Sequence, residues 1–119
     1  MGRRENNAVL IKSMDFAVRI VNLYKWLNYE KQESVISKQL LRSGTSVGAN
    51  LHEAQEAISP KEFESKVYIS LKEARETEYW IELLFKTEFL DKAQYESLKD
   101  DSCELLKMLG SITKSLRLK

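Results

Sequence analysis

The chain has 119 residues and a mass of 13.9 kDa, room for one domain built on one core. With 43% hydrophobic and 31% charged residues it has the make-up of a soluble globular protein, which excludes intrinsic disorder and membrane residence. The 19 basic and 18 acidic side chains nearly cancel, which excludes nucleic-acid binding by bulk charge alone; a single Cys103 and a single His52 exclude a disulfide framework and a zinc cage.

The opening residues lack the apolar stretch of a secretory signal, and no segment approaches the roughly 18 uncharged apolar residues of a membrane span, so the expected location is the cytoplasm. Four glycines and one proline leave few breaks and favour long helices over many short strands. In the first segment Val9, Phe16, Ile20, Leu23 and Leu27 keep a four-three spacing, with Ser13 in the gap and Ala17, Val21 and Tyr24 widening the stripe. This predicts a helix over about 8–27, capped by Asn6 or Asn7. After the polar stretch Asn28 to Glu33, the stripe Ile36, Leu40, Ser43, Val47, Leu51, Ala54 and Ile58 predicts a second helix over about 30–58. Ser59-Pro60-Lys61-Glu62 combines a capping serine, a proline at the first helical position and a glutamate placed for a capping box, and starts a third helix over about 60–88. Its stripe is Phe63, Val67, Leu71, Ala74, Glu78, Ile81 and Phe85, with one carboxylate where an apolar residue belongs. Asp91 followed by Gln94 marks a fourth start, and Leu98, Ser102, Leu105, Leu109, Ile112 and Leu116 carry that helix over about 92–116. Four amphipathic helices with short connections predict a single all-α domain spanning 1–119, an up-down-up-down antiparallel four-helix bundle.

Ser43 to His52 is a run of ten uncharged residues in a chain that is nearly one-third charged. A bundle helix normally marks its wet side with charge, so this one is expected to be covered on more than one side. Gly44 and Gly48 lie on one face, and each costs about 1 kcal/mol of helix propensity relative to alanine, a cost usually tolerated for close backbone approach. Gly44, Thr45, Gly48 and Leu51 are therefore expected to meet a helix of another subunit; the alternative is that the glycines let helices one and two pack tightly inside one bundle. Folding helices two and three back about Ser59 brings Arg42 level with Thr77 and Glu78, Asn50 with Ile69 and Ser70, and Glu53 with Lys66. A polar network of Arg42, Ser46, Asn50, Glu53 and Glu78 is expected, with an Arg42–Glu78 pair explaining the carboxylate on the third stripe.

The segments QLLRSGTSVGANLHEA, Gln39 to Ala54, and KEARETEYWIELL, Lys72 to Leu84, resemble the signature segments of the four-helix-bundle family of 23S rRNA intervening-sequence proteins, and the likeness extends from about Ile11 to Ser115. That resemblance implies a four-helix protomer assembled as a ring-shaped homopentamer without enzymatic activity. A related branch serves as accessory proteins of diversity-generating retroelements, which implies nucleic acid or a reverse-transcriptase-like protein as partner.

Among chemical sites, a carboxylate-bridged metal pair drawn from Glu53, Glu56, Glu73, Glu76 and Glu78 requires Glu-x-x-His turns, and His52 is preceded at the matching position by Ala49. No nucleophile elbow, phosphate-binding loop or dinucleotide fingerprint occurs. No catalytic residue, cofactor or metal is expected. Cys103, Trp26, Tyr79 and Trp80 read as packing or interface residues. Arg3 and Arg4 open the chain, and Lys114, Arg117 and Lys119 close it in a stretch from Lys107 that contains no acid. The antiparallel topology gathers them at one end as candidate phosphate contacts, unless the C-terminal lysines serve only the helix dipole. The expectation is a non-enzymatic homo-oligomeric scaffold that engages nucleic acid or a nucleic-acid-processing protein; the alternatives are a purely structural oligomer or a carboxylate metalloenzyme.

Overall fold

The computed structural model describes the backbone of residues 3–118 and the side chains of 7–118. Its four helices are α1 (Arg3–Glu30), α2 (Ile36–Ala54), α3 (Pro60–Lys86) and α4 (Lys92–Arg117). The stripes read from the sequence form the core: Val9, Phe16, Ile20 and Leu27 of α1 meet Leu40, Val47 and Leu51 of α2, Val67, Ala74, Ile81 and Leu84 of α3, and Leu98, Leu105, Leu109 and Ile112 of α4. Packing follows chain order, α1 on α2, α2 on α3 and α3 on α4. A lighter contact of α4 on α1 closes the square. This is the antiparallel four-helix bundle.

The starts of α3 and α4 lie where local chemistry places them. Ser59 accepts the Glu62 N–H at 3.1 Å with Pro60 at the first helical position. Glu62 returns its carboxylate to the Ile58 N–H at 3.2 Å, one residue upstream of the capping-box partner. Asp91 and Gln94 form the full reciprocal box, at 2.8 and 2.9 Å.

The second helix is shorter than the expected span of about 30–58 at both ends. The first helix runs on to Glu30, after which Gln32 turns left-handed at φ 53 and the Glu33 N–H returns to the Leu27 carbonyl at 3.0 Å. The buried Glu33 carboxylate then accepts the N–H groups of Val35, Ile36 and Ser37 at 3.0, 2.7 and 2.8 Å, satisfying the free donors of the α2 start from outside the helix. At the far end the backbone tightens after Ala54 into successive three-residue closures. Ile58, expected on the core stripe, is 94% exposed.

Candidate interaction surfaces

The glycine strip is an intramolecular contact, which corrects its expected place between subunits. Gly44 and Gly48 are both buried against α1. A Cβ at Gly44 would lie 2.8 Å from Ile20 Cγ2, and one at Gly48 would lie 3.2 Å from Ser13 Oγ. Leu51 is buried in the same core. Two small positions on α2 thus let α1 approach until Ile20 and Ser13 fill the space where side chains would stand. Of the four residues assigned to an oligomer contact, only Thr45 retains a partly open side chain.

The polar network also resolves differently. Arg42 donates to Glu73 at 3.3 Å and to Glu76, and not to Glu78. The reason is rotational: Glu73 and Glu76 lie on the side of α3 turned to α2, whereas Glu78 lines the groove toward α4 with Tyr95, Lys99 and Ser102. Ser46 and Asn50 return their side chains to carbonyls of α2 itself, at 2.6 Å to Arg42 and 2.8 Å to Ser46. Across the α2–α3 interface the buried bonds are Thr77 Oγ1 to Ser43 Oγ at 2.9 Å and Ser70 Oγ to the Val47 carbonyl at 2.7 Å, with Lys66 meeting Glu53 at 3.1 Å nearer water. The Trp80 indole N–H, against the cost of burial and together with the Arg42 guanidinium, holds the Glu76 carboxyl below its ordinary value, so Glu76 stays ionised.

One apolar surface was not singled out in the sequence. Ile11, Met14 and Val18 are 64%, 52% and 54% exposed on α1, and the half-buried Val21 continues their three-four-three spacing. Met14 and Val21 follow the α2-facing Ser13 and Ile20 by one position, a rotation of 100° away from the core. Thr45 and Ala49 follow Gly44 and Gly48 in the same way, and the antiparallel pairing turns both sets to one flank. Lys12 and Arg19 mark the opposite flank of α1, where Asp101 accepts from Lys12 at 3.1 Å and from Arg19 at 2.6 Å. The spacing of Ile11, Met14 and Val18 was legible, but out of phase with the stronger core stripe.

His52 is exposed, with Nδ1 2.8 Å from the Gly48 carbonyl of its own helix, and no group of three His, Cys, Asp or Glu side chains able to hold a metal is found among the described residues. Lys107, Lys114 and Arg117 are exposed along the last turns of α4. The side chains of Arg3 and Arg4, and Lys119 altogether, lie outside the described residues. No helix is long and apolar enough to cross a membrane among the described residues.

A protein of unknown function from the S23 ribosomal protein family of Bacteroides thetaiotaomicron VPI-5482, known from its crystal structure, is similar at 57% identity and a TM-score of 0.91, the alignment covering 92% of this chain and 98% of that one. No protein of curated function matches. The model of the family described as 23S rRNA-intervening sequence protein matches residues 5–111, and with that coverage, on a bundle of the same shape, the chain belongs to this family.

Proposed function

We propose that this protein is a non-enzymatic scaffold that self-associates through the α1–α2 flank, as the homopentamer that the family resemblance implies. The observation that carries the reading is the Ile11–Met14–Val18 strip, three large apolar side chains more than half exposed and bordered by the uncharged Thr45 and Ala49. Burying such side chains is worth about 1.5–3 kcal/mol each when complete, enough for a modest strip to drive association. The non-enzymatic part is supported by the engagement of the carboxylates: Glu53 is paired with Lys66, and Glu73 and Glu76 with Arg42, so these acids serve as structural ions. Light scattering coupled to gel filtration tests the proposal, with wild type expected at a multiple of 13.9 kDa and the double variant Met14→Glu, Val18→Glu at the protomer mass with an unchanged helical signal. Wild type running as a protomer, or a double variant of undiminished mass, refutes it.

A second reading, a phosphate-contacting end that engages nucleic acid or a reverse-transcriptase-like partner, is supported by the exposed Lys107, Lys114 and Arg117 with no acid among them from 107 to 118. Glu53, Glu56 and Glu62 belong to the same end of the bundle and weaken its field. Binding to single-stranded RNA that weakens with salt and is lost on replacing the three cations by glutamine supports this reading; binding indifferent to both removes it.

A further inference from the structure

We infer that the α1–α4 edge is the seam along which the bundle opens, with the α2–α3 contact as its spine and Asp101 as its latch. The inference is independent of the self-association reading. The four contacts around the square differ in kind. α1 is seated on α2 by the close approach at Gly44 and Gly48; α2 and α3 share the most extensive contact and two buried hydroxyl bonds; α3 holds α4 through the stacked rings of Phe85 and Tyr95, 4.1 Å apart. Between α1 and α4 the packing is lightest, and its middle is bridged by ions. Lys12 donates to Asp101 at 3.1 Å and to Glu104 at 3.0 Å; Arg19 donates to Asp101 at 2.6 Å, to Ser97 Oγ at 2.7 Å and to the Ser97 carbonyl at 3.2 Å.

Among the described residues, Asp101 is the one group that both Lys12 and Arg19 reach. On either side of the bridge the edge is cut by grooves, one lined by Leu23, Trp26 and Leu98 and the other by Ala8, Met108 and Ile112. Apolar packing there is incomplete, so a partly exposed ionic contact carries what packing carries elsewhere. Ion pairs of this kind are weak in water and screened by salt, and they matter most at this edge, because the Arg42 and Lys66 pairs across α2–α3 flank the most extensive packed contact of the bundle. Parting the edge leaves α1 held by α2 alone and α4 by α3 alone, and a helix that has lost part of its packing is less stable in water, so its amides lose protection.

Hydrogen exchange of the full chain, followed by mass spectrometry, tests the inference. In Asp101→Asn, peptides covering 8–26 and 94–112 should exchange about tenfold faster than in wild type, while peptides covering 40–51 and 67–81 keep their rates. Glu53→Gln, which removes an ion pair at the spine, serves as the control and should leave the seam peptides unchanged. Wild type in concentrated salt should reproduce the Asp101→Asn pattern and keeps the test open if that variant fails to fold. An equal rise in all four helices makes Asp101 a contributor to global stability only and overturns the latch. Seam peptides no faster than in the control overturn it as well.

Discussion

Replacing Gly44 by alanine adds one methyl group where α1 and α2 come closest. The new Cβ would stand 2.8 Å from Ile20 Cγ2, 2.9 Å from Cγ1 and 3.2 Å from Cβ, distances that force something to move. Ile20 is fully buried and branched at Cβ, so it has no flexible tip to withdraw. Overpacking of this kind costs about 1–3 kcal/mol, while alanine recovers about 1 kcal/mol of helix propensity, leaving a net loss of about 0–2 kcal/mol. At Gly48 the neighbour is a serine hydroxyl at 3.2 Å, a milder crowding, so propensity and crowding nearly cancel and Gly48→Ala should lie within about 0.5 kcal/mol of wild type. Urea unfolding followed by far-ultraviolet circular dichroism measures both, at one fixed protein concentration because association shifts apparent stability. A cycle with Ile20→Ala sharpens the argument. The truncation alone opens a cavity costing about 2–5 kcal/mol, and in the Gly44→Ala background the added methyl occupies part of that space, so the double variant should be more stable than the sum by about 1–2 kcal/mol. Gly44→Ala as stable as wild type with a reduced assembly mass, or a strictly additive cycle, would refute the intramolecular role of this glycine.

Three further outcomes are expected. Glu33→Ala should lower stability by about 2 kcal/mol in the same urea assay, because three N–H groups at the α2 start lose their carboxylate; a variant as stable as wild type would show that water replaces it fully. Glu88 holds φ 69 where α3 ends, so Glu88→Gly should raise stability by about 0.5–1 kcal/mol while Glu88→Ala should not, and equal effects would remove the backbone explanation. At Asp101 burial works against the charge, yet the hydrogen bonds from Arg19 and Lys12 prevail and hold the carboxyl below its ordinary value, as Trp80 and Arg42 do for Glu76. Their stabilisation is therefore complete above the ordinary carboxylate range and is lost as pH falls through the depressed folded values. The double variant Asp101→Asn, Glu76→Gln should be less stable at neutral pH and lose less on acidification than wild type, and parallel pH profiles would refute the assignment.

The parts of this molecule that were legible in its sequence are those settled within a few residues of chain. The Ser59-Pro60 and Asp91-Gln94 starts need only the geometry of one helical turn. The start of α2 was misplaced because Glu33 reaches its donors from outside the helix through a left-handed Gln32, and nothing in residue type distinguishes that carboxylate from any surface glutamate. Arg42 was recognised as an interhelical ion, but a rotation of α3 by less than half a turn decided between Glu78 and the Glu73–Glu76 pair.

By itself the sequence determined that there would be four helices, where α3 and α4 start, and which stripe of each faces inward, because caps and a period of 3.6 residues are local properties; α1, expected over about 8–27 behind an Asn6 or Asn7 cap, runs from Arg3 to Glu30 instead. Only the tertiary structure decided what the small residues of α2 are for. A glycine pair states that something must come close and leaves the visitor unnamed; Ile20 and Ser13, more than 20 residues earlier in the chain, fill that role inside the same protomer. The outward strip of α1 and the ionic seam with α4 became visible on the same terms, since a residue's exposure depends on which helices lie beside its own, and that is a property of the assembled bundle.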